Sequence, residues 1–238
     1  MAEPAALTVV LLPGLDGTGR MFAPLLAHLP AQWVPRIIAY PKDEALTYAQ
    51  LVEIVLPQLP RDRPYIVIAE SFAGPLALQI STRAAKNLQA LVLCATFVRN
   101  PRPHLARLAP ILLREPILAH RPQKWLARLL VTGFDVPDTM LEQALEIHEL
   151  VSPRVIMQRL YDVIHVDVST ILRDCPLPIL HLYALHDHLI LGRPTREIQQ
   201  IRPDIESIGI DGPHYLLQAR PQGCAVAIEK FLREKGLC

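Results

Sequence analysis

A serine hydroxyl becomes a nucleophile when a base takes its proton and N–H donors meet the oxyanion that develops. Three segments of this sequence carry the residue types for that chemistry. Ser71 interrupts "YIVIAESFAGPLALQI", Asp187 follows "PILHLYAL", and His214 stands in "IDGPHYLLQARP". Each comes just after an apolar run, in the order nucleophile, acid, base. A fourth segment, "VVLLPGLDGTG" (Val9 to Gly19), puts a Gly-rich turn directly after the first apolar run. There the N–H of Leu15 can pair with that of Phe72, the residue after Ser71, to form an oxyanion hole.

Each segment also has a plainer reading. Ser71 fits an ordinary strand-to-helix connection, and Gly14, Gly17 and Gly19 fit a turn that uses glycines for positive φ. A nucleotide-binding turn would need G-x-G-x-x-G spacing or a following Lys-Ser/Thr pair, and "PGLDGTG" has neither. Asp187 fits an exposed acidic turn. His186 and His188 beside it raise a His-Asp-His metal site, but neighbours in an extended segment point opposite ways and no further ligand cluster follows. Of the nine histidines, His214 has the best placement for a general base, on a loop after a strand and a Gly-Pro turn.

The elements that must hold these residues follow a regular rhythm. Apolar runs at Leu7 to Leu12, Val34 to Tyr40, Tyr65 to Ala69, Leu88 to Cys94, Leu177 to Leu185 and Asp204 to Ile210 read as strands. Most are continuous rather than alternating, as in a parallel sheet covered on both faces. Segments near 44–57, 72–85, 194–202 and 216–234 have helical spacing. The expectation is an α/β fold with a doubly wound, mostly parallel sheet of about six strands and helices on both faces. At the Ser71 junction, a sharp strand-to-helix turn needs small residues two before and two after the serine. Ala69 and Ala73 fill those places, followed by Gly74 and by Pro75 in the first helical turn.

The rhythm breaks between about Phe97 and Asp174. Helical patches such as "QKWLARLL" and "TMLEQALEIHELV" occur there, punctuated by prolines, with no convincing strand. This divides the chain into a core of 1–96 and 175–238 and a helical cap of 97–174, inserted where it can cover the carboxyl ends of the strands.

Composition sets the partner classes. A formal net charge of +1 gives no global pull toward nucleic acid or membrane. No apolar run approaches the roughly 20 residues of a membrane span. The amino terminus lacks a basic region before its apolar stretch, which reads as a strand. Cys94, Cys175, Cys224 and Cys238 have no C-x-x-C spacing, so a reducing cytoplasm is the expected setting and neither a disulfide framework nor a zinc site is.

Taken together, the ordered Ser71, Asp187 and His214, the "AESFAG" junction and the "LPGLDG" turn resemble the α/β-hydrolase superfamily over nearly the whole chain outside the cap. The resemblance implies Ser71 as nucleophile, His214 as general base then acid, and Asp187 as its orienting carboxylate. It implies the Leu15 and Phe72 N–H groups as the oxyanion hole, and no cofactor. The chain departs from the family pattern in three ways. Pro13-Gly14 replaces the usual His-Gly, both elbow glycines are alanines, and the sheet begins at what would be the third strand of larger members. Asp16 is the residue expected to order the turn in place of the histidine.

The implied activity is hydrolysis of a carboxylic ester or thioester. Acyl transfer to an alcohol and a silent, ligand-binding fold are the alternatives. The cap is electrically divided. Arg99, Arg102, Arg107, Arg114, Arg121, Lys124 and Arg128 face only Glu115 in its first half, and acidic residues dominate its second. Either the halves pair with each other or are solvated faces, or the basic half docks an acidic partner such as an acyl carrier protein.

Overall fold

The computed structural model describes residues 7–84, 87–104, 136–190 and 192–238. One sheet runs through it, made of β1 (Thr8–Leu12), β2 (Val34–Ile37), β3 (Tyr65–Glu70), β4 (Leu88–Cys94), β5 (Ile179–Ala184) and β6 (Glu206–Ile210). The strand order is β2-β1-β3-β4-β5-β6 and every neighbouring pair is parallel. The described helices are α1 (Ala23–Leu26), α2 (Tyr48–Val55), α3 (Ala73–Ser81), α4 (Asp138–Glu149), α5 (Pro153–His165), α6 (Ser169–Asp174), α7 (Gly192–Ile201), α8 (Leu216–Ala219) and α9 (Pro221–Glu234).

The continuous apolar runs serve two cores, one on each face. Because side chains alternate along a strand, Val10 and Leu12 of β1 join Val67 and Ala69 of β3 in a layer with α2, α3 and α6. Val9 and Leu11 join Ile66 and Ile68 in the opposite layer, with α1, α8 and α9. From β1 the chain winds outward to β2, then returns to the other side of β1 for β3. The order therefore reverses between β1 and β3, and open parallel sheets place their ligand crevice at the carboxyl ends beside such a point. The Gly-rich turn after β1 and Ser71 after β3 both lie there.

Among the boundaries that differ from the sequence expectation, three have a clear local reason. The second strand ends at Ile37 instead of Tyr40. Ile38 still donates to Leu11 O at 3.1 Å, but Tyr40 N turns to Gly17 O at 2.8 Å, so the chain leaves the sheet to wrap the Gly-rich turn. The last strand starts at Glu206, because Ile205 N closes a turn on Arg202 O and the Arg202 guanidinium grips Asp204. The carboxyl-terminal helix divides into α8 and α9 at Arg220 (φ −134°, ψ 49°). Pro221 pushes the residue before it out of the helical region.

Between β4 and β5 the described residues form α4, α5 and α6, with a single antiparallel bridge, Arg99 to Asp167, in place of any strand. The patch "QKWLARLL" lies outside the described residues, whereas "TMLEQALEIHELV" coincides with α4.

Candidate active site

Ser71 sits at φ 51°, in the left-handed region that a residue with a Cβ adopts at a cost. The surroundings enforce it. Ser71 N donates to Cys94 O at 2.9 Å, extending the β3–β4 ladder by one residue, and Gly74 N closes the turn on Ser71 O at 3.0 Å. The Thr96 hydroxyl donates to the same Ser71 carbonyl at 2.5 Å. Immediately before it, Ala95 is the other non-glycine residue at positive φ (45°) among the described residues. Two sharp exits from adjacent strands are thus locked together. A Cβ on Gly74 would come within 2.8 Å of Thr96 Cβ, so the close approach of helix and strand depends on glycine at that position.

His214 reaches the same place from the loop between β6 and α8. Its Nε2 lies 2.9 Å from Ser71 Oγ, and its Nδ1 lies 2.7 Å from Asp187 Oδ2. The other Asp187 oxygen accepts from Leu189 N at 2.9 Å and Ile190 N at 2.8 Å, which fixes the carboxylate in a turn after β5. Both side chains are only 5% exposed. Burial alone pushes the His214 pKa down, but the charge and hydrogen bond of Asp187, together with Glu70, outweigh it and the net shift is upward. Burial alone would raise the Asp187 pKa. The His214 charge and hydrogen bond and the two turn N–H groups reverse that, holding it below the usual carboxylate value. His186 and His188 are exposed on either side, and His186 faces Asp211 at 3.0 Å.

The turn after β1 lies against the elbow, with the Cβ position of Gly14 3.7 Å from Ser71 Cβ. Gly17 N donates to Gly14 O at 3.0 Å, making Leu15 and Asp16 the corner residues. Asp16 Oδ1 accepts from Thr18 N at 2.7 Å and from the Thr18 hydroxyl at 2.5 Å, a local side-chain turn of the kind expected of Asp16. Two further residues hold this region. Arg159 of α5 is 1% exposed and donates to Leu15 O and Asp16 O, both at 2.8 Å, and to Pro41 O at 2.9 Å. Tyr48 of α2 stacks on Phe72, with ring centroids 4.5 Å apart, and its hydroxyl donates to Phe72 O at 2.8 Å. Strands, turns and side chains thus bring Ser71, Asp187, His214, Leu15 and Phe72 to one end of the sheet.

A family model described as the alpha/beta hydrolase family matches residues 9–227. The chain belongs to that family. Comparison with curated proteins returned no match. Among solved structures, an enol-lactonase from Burkholderia xenovorans superposes with a TM-score of 0.80 at 17% identity, covering 98% of this chain and 94% of that one. A thermophilic esterase from Thermogutta terrifontis gives 0.76 at 18% identity, covering 96% and 90%. A bromoperoxidase from Bacillus anthracis gives 0.77 at 16%, covering 96% and 92%. At these identities the likeness is one of fold.

In this alpha/beta hydrolase several residues around the site escape sequence reasoning. Thr96 carries no signal, since a threonine after a strand is unremarkable. Arg159 does carry one. It falls on the buried stripe of α5 with Val155 and Ile156, where a charge must find compensation. Glu70, next to Ser71, is buried and pushed up to about 7 by desolvation, partly offset by a 3.2 Å hydrogen bond from Gln218 Nε2.

Of the basic residues in the first half of the inserted segment, the described Arg99 and Arg102 contact both its second half and the core. Arg99 pairs with Asp167 at 3.0 Å and with Glu197 at 2.9 Å, and Arg102 donates to the carbonyls of Leu189 and His188. Arg107, Arg114, Arg121, Lys124 and Arg128 lie outside the described residues. Among the described residues no group of three or more His, Cys, Asp or Glu side chains could hold a metal ion. No described helix is long and apolar enough to cross a membrane.

Proposed function

We propose that the protein is a serine hydrolase that cleaves a carboxylic ester or thioester through an acyl-enzyme on Ser71. The observation that carries this reading is the continuous relay from Ser71 Oγ through His214 to Asp187, with hydrogen bonds of 2.9 and 2.7 Å, at the crevice end of the sheet. Ser71 Oγ attacks the substrate carbonyl as His214 Nε2 takes its proton. The carbonyl oxygen becomes an oxyanion received by the Leu15 and Phe72 N–H groups. The tetrahedral intermediate collapses, and His214 gives the proton to the departing alkoxide or thiolate. Water then attacks the acyl-Ser71 ester with His214 as base, releasing a carboxylic acid and restoring the hydroxyl. The upward-shifted His214 and downward-shifted Asp187 suit this cycle, because a charged carboxylate stabilises the imidazolium formed at each step.

The chemistry needs no cofactor. In this reading α5, within the inserted segment, lies against the Leu15 turn and covers that side of the site. The fold neighbours named lactonase and esterase support ester cleavage by analogy of fold. The Arg99–Asp167 ion pair favours pairing within the inserted segment over an acidic carrier-protein partner. A series of p-nitrophenyl esters of increasing chain length tests the reading, as Ser71-dependent release of p-nitrophenolate with one preferred length. Folded protein that releases none from any ester would favour a ligand-binding fold without turnover.

A further inference from the structure

The Pro13-Gly14 turn is held from outside itself as well as by its own Asp16. The Arg159 guanidinium reaches across 144 residues of sequence to Leu15 O and grips Asp16 O with the same nitrogen. Its other terminal nitrogen binds Pro41 O, and its plane lies over the Tyr40 ring, 5.5 Å from the centroid. A Cβ on Gly17 would come within 2.6 Å of Arg159 Nη1, so the turn's glycine at φ +70° also makes room for the guanidinium. Around it, Val151, Val155 and Ile156 pack with Leu15 and Leu160.

The same helix also reaches the segment that follows Ser71. One turn after Arg159, Asp162 Oδ2 accepts from Tyr48 N at 2.9 Å, at the first residue of α2. Gln158 Nε2 steadies the second Asp162 oxygen at 3.0 Å. Tyr48 in turn binds the Phe72 carbonyl and stacks on its ring. Two charged residues one turn apart on α5 therefore reach, directly or through Tyr48, the two chain segments assigned to the oxyanion hole.

We propose that α5 assembles the oxyanion hole, with Arg159 as the positioning residue for the Leu15 N–H and Asp162, through Tyr48, as the positioning residue for the Phe72 N–H. The assignment rests on the serine-hydrolase reading and deepens it. The guanidinium fixes the Leu15–Asp16 and Asp16–Gly17 peptide planes, and the Tyr48 hydroxyl fixes the Phe72–Ala73 plane. The Leu15–Asp16 and Phe72–Ala73 planes directly follow those that carry the assigned N–H groups, so the chain is anchored on the far side of each donor without touching substrate. Such preorganisation acts on the transition state and leaves ground-state binding nearly unchanged.

The experiment compares wild type with Arg159→Met, which keeps the length of the side chain and removes its donors. Removing an oxyanion donor outright costs about 100-fold or more in kcat; Arg159→Met leaves the N–H in place but loosens it, so kcat on p-nitrophenyl butyrate is expected to fall by about 10-fold or more. KM should stay within about two-fold. The inhibition constant of a trifluoromethyl ketone, which forms an oxyanion on the serine, should rise in step with the fall in kcat. Hydrogen exchange should accelerate in the peptide covering 13–19. Asp162→Ala should give a smaller fall in kcat, with faster exchange near 47–52. Where Arg159→Met does not fold, Arg159→Lys carries the same readouts with a smaller loss. A folded Arg159 variant with wild-type kcat, or with unchanged exchange at 13–19, overturns the proposal. A wild-type protein without esterase activity or Ser71 labelling would instead overturn the serine-hydrolase reading, and the exchange comparison would still decide whether Arg159 orders the turn.

Discussion

His214 Nδ1 lies 2.7 Å from Asp187 Oδ2 across 27 residues of sequence, and the two side chains are equally buried, at 5% exposure each. The carboxylate is aligned by two turn N–H groups and can present only its remaining oxygen to the ring. In this geometry Nδ1 carries the proton and Nε2 is left free to accept from Ser71.

Asp187→Asn keeps the shape and removes the charge. The amide can present its NH2 to Nδ1 and favour the wrong tautomer. Turnover should fall by about 10⁴-fold while the thermal transition stays close to wild type. Steady-state kinetics beside a melting curve checks this. Full activity in a folded Asp187→Asn protein would remove Asp187 from the relay.

Glu70 gives a pH signature. Its carboxylate raises the His214 pKa, and His214 must be neutral to act as base. Glu70→Gln should therefore move the acid limb of kcat/KM to lower pH, and a limb that moves upward contradicts the assignment. Stability should respond as well. Glu70 sits at about 7 in the fold, above its ordinary 4.5, so the native state holds an extra proton between those values. Stability then declines as pH rises through that window. The Tm advantage of Glu70→Gln over wild type should accordingly grow between about pH 5 and pH 8.

The elbow offers a packing test. An alanine at Gly74 meets Thr96, and overpacking of this kind costs about 1–3 kcal/mol. For a chain of this size that is a fall of roughly 2–4 °C in Tm per kcal/mol. Because Thr96 also holds the Ser71 carbonyl, acylation should slow. Introduced into Thr96→Ala, the Gly74→Ala change should cost less than in wild type, since most of the obstruction is gone. Strictly additive effects in a double-mutant cycle would show that the two positions do not press on each other.

The positions of Ser71, Asp187 and His214 were legible because each follows a strand, and strands of a parallel sheet announce themselves as apolar runs. Ser71, Asp187 and His214 could be aligned at one end of the sheet by chain order alone. The oxyanion turn was half legible: its glycines and Asp16 were visible, whereas its outside support was not. Arg159 binds main-chain carbonyls, which every residue has, so no partner residue type marks the contact. Thr96 and Tyr48 act on carbonyls in the same way. Strand ends were misplaced where turns overrode propensity, as at Tyr40, which leaves the sheet to bind Gly17 O.

Treatment with a fluorophosphonate probe, read by intact mass and peptide mapping, tests the central claim most directly. Wild type should gain one adduct, located on Ser71, and Ser71→Ala should gain none at the same protein concentration and time. Folded wild-type protein that stays unlabelled, or an adduct that persists in Ser71→Ala, would contradict the claim that Ser71 is an activated nucleophile.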